Sequence, residues 1–144
     1  MGFDIRPLDV DDIPKIIEIY EMITGMISPD PDDLESRIEN GQPFCLGVKK
    51  DGKFIGFILG SSDKGSFGEL ETIGTIGMVG VHPDFRSQNI GSTLGAELIE
   101  QYRGLGITKI RTRVDNNDTD LLKYFMNIGL KPSNWTMLEL DLEK

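Results

Sequence analysis

Apolar residues recur along this chain at two different spacings, and the spacing changes at glycine, proline and Asx clusters. Across residues 11–23, Ile13, Ile16, Ile17, Tyr20 and Ile23 fall at helical intervals. Residues 25–29 break that pattern. A second helix is predicted from Asp30 as N-cap and Pro31 at the first position to about Asn40, where Asn40-Gly41 stops it. Residues 3–6 alternate as a first strand. Residues 44–49 and 54–59 are apolar runs around Lys50-Asp51-Gly52, a hairpin signal. The Gly/Ser-rich stretch 60–68 reads as a loop, and residues 71–81 as a strand interrupted by glycines. Residues 91–104 carry a Leu94, Leu98, Tyr102 stripe and form a helix. A strand over 109–114 follows, then a helix over 118–128 closed by Gly129. Residues 135–142 read as a final strand. The predicted order is β-α-α-β-β-β-α-β-α-β, an α/β (α+β) domain.

A length of 144 residues fits one domain, 1–144, with a single core. Hydrophobic content of 38% with 27% charged residues places it among soluble globular proteins. No apolar run is long enough to span a bilayer, and the start, Met1-Gly2-Phe3-Asp4, lacks a basic, apolar leader. A membrane role is not expected. The one cysteine, Cys45, has no internal partner, so a reducing cytoplasmic setting is expected. One Cys and one His supply no ligand set for structural zinc, and no metal is expected. The net charge of −9 argues against non-specific nucleic-acid binding.

One stretch stands out for chemistry: Val79-Gly80-Val81-His82-Pro83-Asp84-Phe85-Arg86-Ser87-Gln88-Asn89-Ile90-Gly91-Ser92. It reads as a strand ending at a proline, a polar loop with one arginine, and a helix without an acid in its opening turn. Backbone N–H groups at a helix start lack intrahelical partners, and the helix dipole favours negative charge there. Arg86 adds a fixed positive fork suited to phosphate. The plainer alternative is an ordinary turn, with Ser92 capping the helix and His82 as a surface turn residue.

The segment resembles the acyl-CoA-binding motif of the GNAT superfamily of N-acyltransferases, often written R-G-x-G-I-G. Arg86, Ile90 and Gly91 match it; Ser87 and Asn89 stand where glycines are usual. Asparagine tolerates left-handed backbone better than most residues, so the turn survives. The element order also agrees with the GNAT order across nearly the whole chain, which implies a mixed, mostly antiparallel central sheet flanked by helices. Between the last helix and the final strand, only residues 130–133 remain for a strand the family usually has.

The resemblance implies acetyl-CoA as co-substrate. Val79, Gly80 and Val81 would lie on the strand that holds the pantetheine arm, with Gly80 letting the ligand approach closely, and Arg86, Ser87, Gln88, Asn89, Ile90, Gly91 and Ser92 would hold the pyrophosphate. A second family motif, anchored on Gly129-Leu130, puts Phe125 where a tyrosine usually acts as general acid. Phe125 cannot donate a proton, and the adjacent Tyr124 points roughly 100° away on a helix. Tyr124 is nonetheless the candidate acid, with packing between helix and sheet as its alternative. Asn117, with Asn116, either caps the last helix or touches the ligand arm.

The implied reaction is attack of a primary amine on a thioester. A lysine-like amine is neutral in roughly one molecule in 10³–10⁴ at pH 7, so a base or water chain helps. The nearest acids are Glu69 and Glu71, with Glu71 the candidate base. A backbone N–H near Val79 would polarise the carbonyl. The family's acceptor site maps to an apolar lip of Met26, Ile27 and Trp135 and an acidic one of Asp30, Asp32 and Asp33. The resemblance thus implies an N-acetyltransferase acting on a small molecule, peptide or protein. Two alternatives stay open: a non-catalytic acyl-CoA-binding or regulatory module of the same fold, and an unrelated α/β nucleotide-binding domain. The glycine-rich strand and C-terminal segment also leave a homodimer open.

Overall fold

In a computed structural model, which describes residues 2–25, 27–64 and 70–143, the chain builds one sheet with helices on both faces. Strand β1 (Phe3–Pro7) leads through a short 3₁₀ turn (Val10–Asp12) into α1 (Ile13–Thr24) and α2 (Pro31–Gly41). Asp30 caps α2 by accepting the Asp32 N–H, with Pro31 at the first helical position, so the predicted start holds. Strands β2 (Cys45–Lys50) and β3 (Lys53–Lys64) form a hairpin. Its turn residues Asp51 and Gly52 both have positive φ, 51° and 81°, the backbone a two-residue hairpin turn requires. Strand β4 (Thr72–Val81), a 3₁₀ turn (Pro83–Gln88), α3 (Ile90–Gly104), β5 (Ile110–Thr112) and α4 (Thr119–Asn127) complete the described elements.

The strand order is β1-β2-β3-β4-β5; the first four run antiparallel and β5 lies parallel to β4. This is the expected mixed, mostly antiparallel sheet. Helices α3 and α4 cover one face, burying Ile55, Ile58, Ile76, Leu94, Leu98 and Phe125 among others. Helices α1 and α2 cover the other, over Ile16, Ile19, Leu34, Ile38, Phe57 and Leu59. None of the described helices is long and apolar enough to cross a membrane.

Three expectations need correction. The stretch 60–68 does not begin as a loop: β3 runs on to Lys64, pairing Ser61–Lys64 with Thr75–Thr72. Tyr102 explains this. Buried on α3, its hydroxyl lies 2.9 Å from the Ser61 and Thr75 carbonyls and accepts the Ser61 N–H at 3.1 Å, fastening polar backbone that composition alone assigns to a loop. Burial raises the Tyr102 phenol far above its usual range, so it stays neutral. Second, β5 is only Ile110–Thr112, half of the expected 109–114. Third, residues 135–142 form no strand. Leu138, Leu140 and Leu142 are 88%, 79% and 87% exposed. A strand needs a neighbour for its N–H and C=O groups, and this segment joins no ladder of the described sheet.

Candidate functional site

The site is built around an irregularity in β4. Its register with β3 pairs Leu59 with Met78 and Gly60 with Ile76, leaving Gly77 as an extra residue, a β-bulge. The bulge resets which face each side chain takes. Ile76 packs into the α3 face. Gly77 and Met78 both face α1 and α2, after which Val79 and Val81 return to the α3 face. The β4–β5 ladder also ends here, at Ile76 opposite Thr112. The Thr112 hydroxyl donates to the Ile76 carbonyl at 2.8 Å and closes the last rung. Beyond it, the β4 edge from Gly77 to Val81 has no strand partner among the described residues. A polar, extended ligand arm can pair with such an edge as another strand would.

At the far end of that edge lies the phosphate-type cradle. His82 is buried, at 8% exposure, rather than a surface turn residue; its Nδ1 accepts the Asp84 N–H and starts the 3₁₀ turn. Asn89 has φ 61° and ψ 25°, the left-handed conformation that joins this turn to α3. No side chain caps α3 and its first turn holds no acid, so its N–H groups remain available to an anion. Ser92 therefore is not the helix cap. Arg86 and Ser87 are exposed, and Arg86 makes no ion pair among the described residues. Ile90 is buried in the α3 face, and a Cβ on Gly91 would meet the Tyr124 ring at 3.2 Å and Val81 at 3.6 Å.

Two further cations join the cradle. Lys50 Nζ donates to Gln88 Oε1 at 2.6 Å, and Lys50 and Lys53 lie 6.0 and 5.5 Å from the Phe85 ring. This basic group, set against a net charge of −9, gives an anionic ligand a locally favourable field. Neither lysine stood out in the sequence, because only the β3–β4 register brings the hairpin turn beside this loop.

The other candidates are dispersed. The Tyr124 hydroxyl donates to the Gly91 carbonyl at 2.7 Å, and burial pushes its phenol up to about 12. It therefore braces α4 against the start of α3. Phe125 is 5% exposed within the core and stacks edge-on with Tyr124 at 5.1 Å. Glu71 sits at the opposite end of β4, paired with Lys109 Nζ at 3.0 Å. It lies six residues before Gly77, on the order of 20 Å along a strand. Asn117 is exposed and its N–H donates to Asp115 Oδ1 at 2.8 Å, a turn contact ahead of α4.

Gly80 turns its side-chain face to the core. A Cβ there would fall 2.7 Å from Phe57 and 3.1 Å from Ile23, on the α1 side, so the glycine makes room for the core. Glu69, the other acid near the candidate base, and Met26 of the expected acceptor lip lie outside the described residues. Ile27 is 61% exposed, and Trp135 stacks over the Arg111 guanidinium at 5.1 Å, beside β5. Asp30 is occupied as a cap, and Asp33 pairs with Arg37 at 2.8 Å. Arg37 is the residue that the sequence concealed most fully: its Nη1 would be 3.3 Å from a Cβ on Gly77. No group of three or more metal-ligating side chains occurs among the described residues.

Comparison with known proteins bears on the family and the fold. A profile of the acetyltransferase (GNAT) family matches residues 13–129. An acetyltransferase of Pectobacterium atrosepticum is 27% identical over 125 residues, spanning 84% of this chain and 83% of that protein. Among solved structures, the PaiA N-acetyltransferase of Thermoplasma acidophilum in complex with coenzyme A superposes with a TM-score of 0.75 at 20% identity, covering 94% of each chain. The ribosomal-protein-alanine N-acetyltransferase of Brucella melitensis biovar Abortus does so at 0.75 and 18% identity, covering 97% of this chain and 99% of its own. The chain belongs to the acetyltransferase (GNAT) family.

Proposed function

We propose that this protein transfers an acetyl group from acetyl-CoA to a primary amine. The observation that carries the reading is the unpaired β4 edge from Gly77 to Val81, running directly into the Arg86–Ser92 cradle. Backbone groups of Val79 and Val81 hold the pantetheine amides, and Arg86 with the first N–H groups of α3 holds the pyrophosphate. Lys50 and Lys53 strengthen the field there. The amine nitrogen bonds the acetyl carbon as the C–S bond breaks; the amine releases a proton to water and the thiolate takes one up. A backbone N–H at the bulge polarises the carbonyl, and positioning supplies most of the acceleration. Tyr124 acts in this scheme through the start of α3, since its hydroxyl is held by the Gly91 carbonyl. Glu71, held by Lys109, acts only through a chain of waters.

That same placement favours one second reading, a non-catalytic acyl-CoA-binding module, because neither Tyr124 nor Glu71 stands at the bulge. Titration with acetyl-CoA, with Arg86→Glu and ATP as controls, separates them when followed by a CoA-release assay over amines. Micromolar binding with turnover supports the enzyme. Binding without turnover supports the module, and no binding removes both.

Pairing of two copies belongs to the same proposal. In the tail, Leu138, Leu140 and Leu142 alternate with Glu139, Asp141 and Glu143, while around β5 Ile110 and Thr112 alternate with Arg111 and Arg113. This complementarity supports strand addition between copies, and light scattering of the intact and tail-truncated chains tests it. The buried, free Cys45 thiol supports a cytoplasmic setting.

A further inference from the structure

Arg37 places a guanidinium beside the candidate site. It projects from α2 onto the bulge of β4, on the sheet face opposite the phosphate cradle. Its Nη1 would be 3.3 Å from a Cβ on Gly77, so the guanidinium lies directly over the bulged residue. The Nε edge is used, donating to Asp33 Oδ2 at 2.8 Å. The Nη groups have no partner among the described residues, and the side chain is 51% exposed. The guanidinium is thus held by one edge with the other free, beside the point where β4 leaves β5.

Asp33 balances the charge of Arg37, so the guanidinium recognises a ligand through its free N–H groups rather than as a bare cation. Those groups match a carboxylate, because two N–H groups of a guanidinium meet two carboxylate oxygens in one plane. We infer that the acceptor is a small amine that also carries a carboxylate, of the amino-acid class, and that Arg37 holds the carboxylate while the amine faces the acyl carbon. This inference rests on the acetyltransfer reading above.

The test is a CoA-release assay with acetyl-CoA over pairs of amines, each amino acid against its own carboxamide, together with titration of the wild-type protein with acetyl-CoA. The wild-type protein is expected to favour the acid over the amide in kcat/KM by about tenfold or more, mostly through KM. In Arg37→Gln that ratio is expected to fall to about one, and in Arg37→Lys to lie between, since a point charge replaces the fork. A merely structural role for Arg37 would lower both members of each pair and leave the ratio unchanged, which would overturn the inference. Equal use of acids and amides by the wild-type protein would overturn it too, as would acetyl-CoA binding without turnover of any amino acid. Failure to bind acetyl-CoA at all would instead sink the acetyltransfer reading on which it rests.

Discussion

The two faces of the sheet beside Gly77 offer a ligand different means of recognition. On the α3 side, recognition is built from backbone: an unpaired strand edge, a left-handed Asn89 and an uncapped helix start, with Arg86, Lys50 and Lys53 setting the sign of the field. On the α1–α2 side it is built from side chains, chiefly the Asp33–Arg37 pair laid over the bulge. Backbone recognition suits a ligand common to a whole family, because it tolerates sequence change as long as the register survives. Side-chain recognition suits an acceptor that differs from one member to the next. The contrast explains how Ser87 and Asn89 replace glycines in the cradle without dismantling it.

The largest effect is expected from reversing the charge of the cradle. Arg86→Glu should weaken acetyl-CoA binding by about 100-fold or more at low salt, since it removes charge-assisted bonds and adds repulsion. A loss under about threefold would mean the pyrophosphate is held elsewhere. Gly80→Ala strikes the other face. Its Cβ would stand 2.7 Å from Phe57, so it should lower unfolding stability by about 1–3 kcal/mol, as measured by urea denaturation.

Tyr124→Phe sharpens the comparison by separating bracing from proton donation. Loss of the bond to Gly91 should cost about 1 kcal/mol near neutral pH. The rate should fall less than about tenfold, whereas loss of a general acid would give roughly 10²–10⁴. The same residue makes stability depend on alkaline pH. An exposed tyrosine loses its proton near pH 10, but buried Tyr124 holds it to about 12. The native state therefore binds more protons over that window. The contribution is complete below pH 10 and is lost as pH rises through about 12, at no more than about 1.4 kcal/mol per pH unit. Urea titrations from about pH 8 to 11 should show a steeper decline in the wild-type protein than in Tyr124→Phe.

Smaller still, replacing both Lys50 and Lys53 with alanine should weaken acetyl-CoA binding about three- to tenfold at low salt, with the difference shrinking as salt is raised. Glu71→Gln should lie at the bottom of the scale. Its pair with Lys109 is exposed, worth under about 1 kcal/mol, and the turnover should change less than about twofold.

The cradle was legible in the sequence because its information is local. A strand, a proline, one arginine and an asparagine able to turn left-handed lie within fourteen consecutive residues. The helices were legible from their apolar spacing and from Asp30-Pro31 and Gly129. The bulge at Gly77 was not, since a bulge is a property of two strands in register, and one strand's sequence reads the same with or without it. Arg37 was hidden for a related reason: nothing in an exposed position of α2 tells which strand residue it overlies. The glycine at position 80 suggested ligand approach, while its true neighbour, Phe57, lies 23 residues away in sequence. The tail shows the reverse failure. Its alternation marks strand propensity, but propensity without a partner for the backbone does not form a strand.

The central claim is that acetyl-CoA lies along the β4 edge beyond the Ile76–Thr112 rung and ends at the start of α3. Hydrogen exchange of the intact protein with and without acetyl-CoA tests it most directly. The account predicts slowed exchange within residues 77–81 and at the first amides of α3, with little change in β1 or β2. Protection confined to other segments, or none at saturating acetyl-CoA, would contradict it.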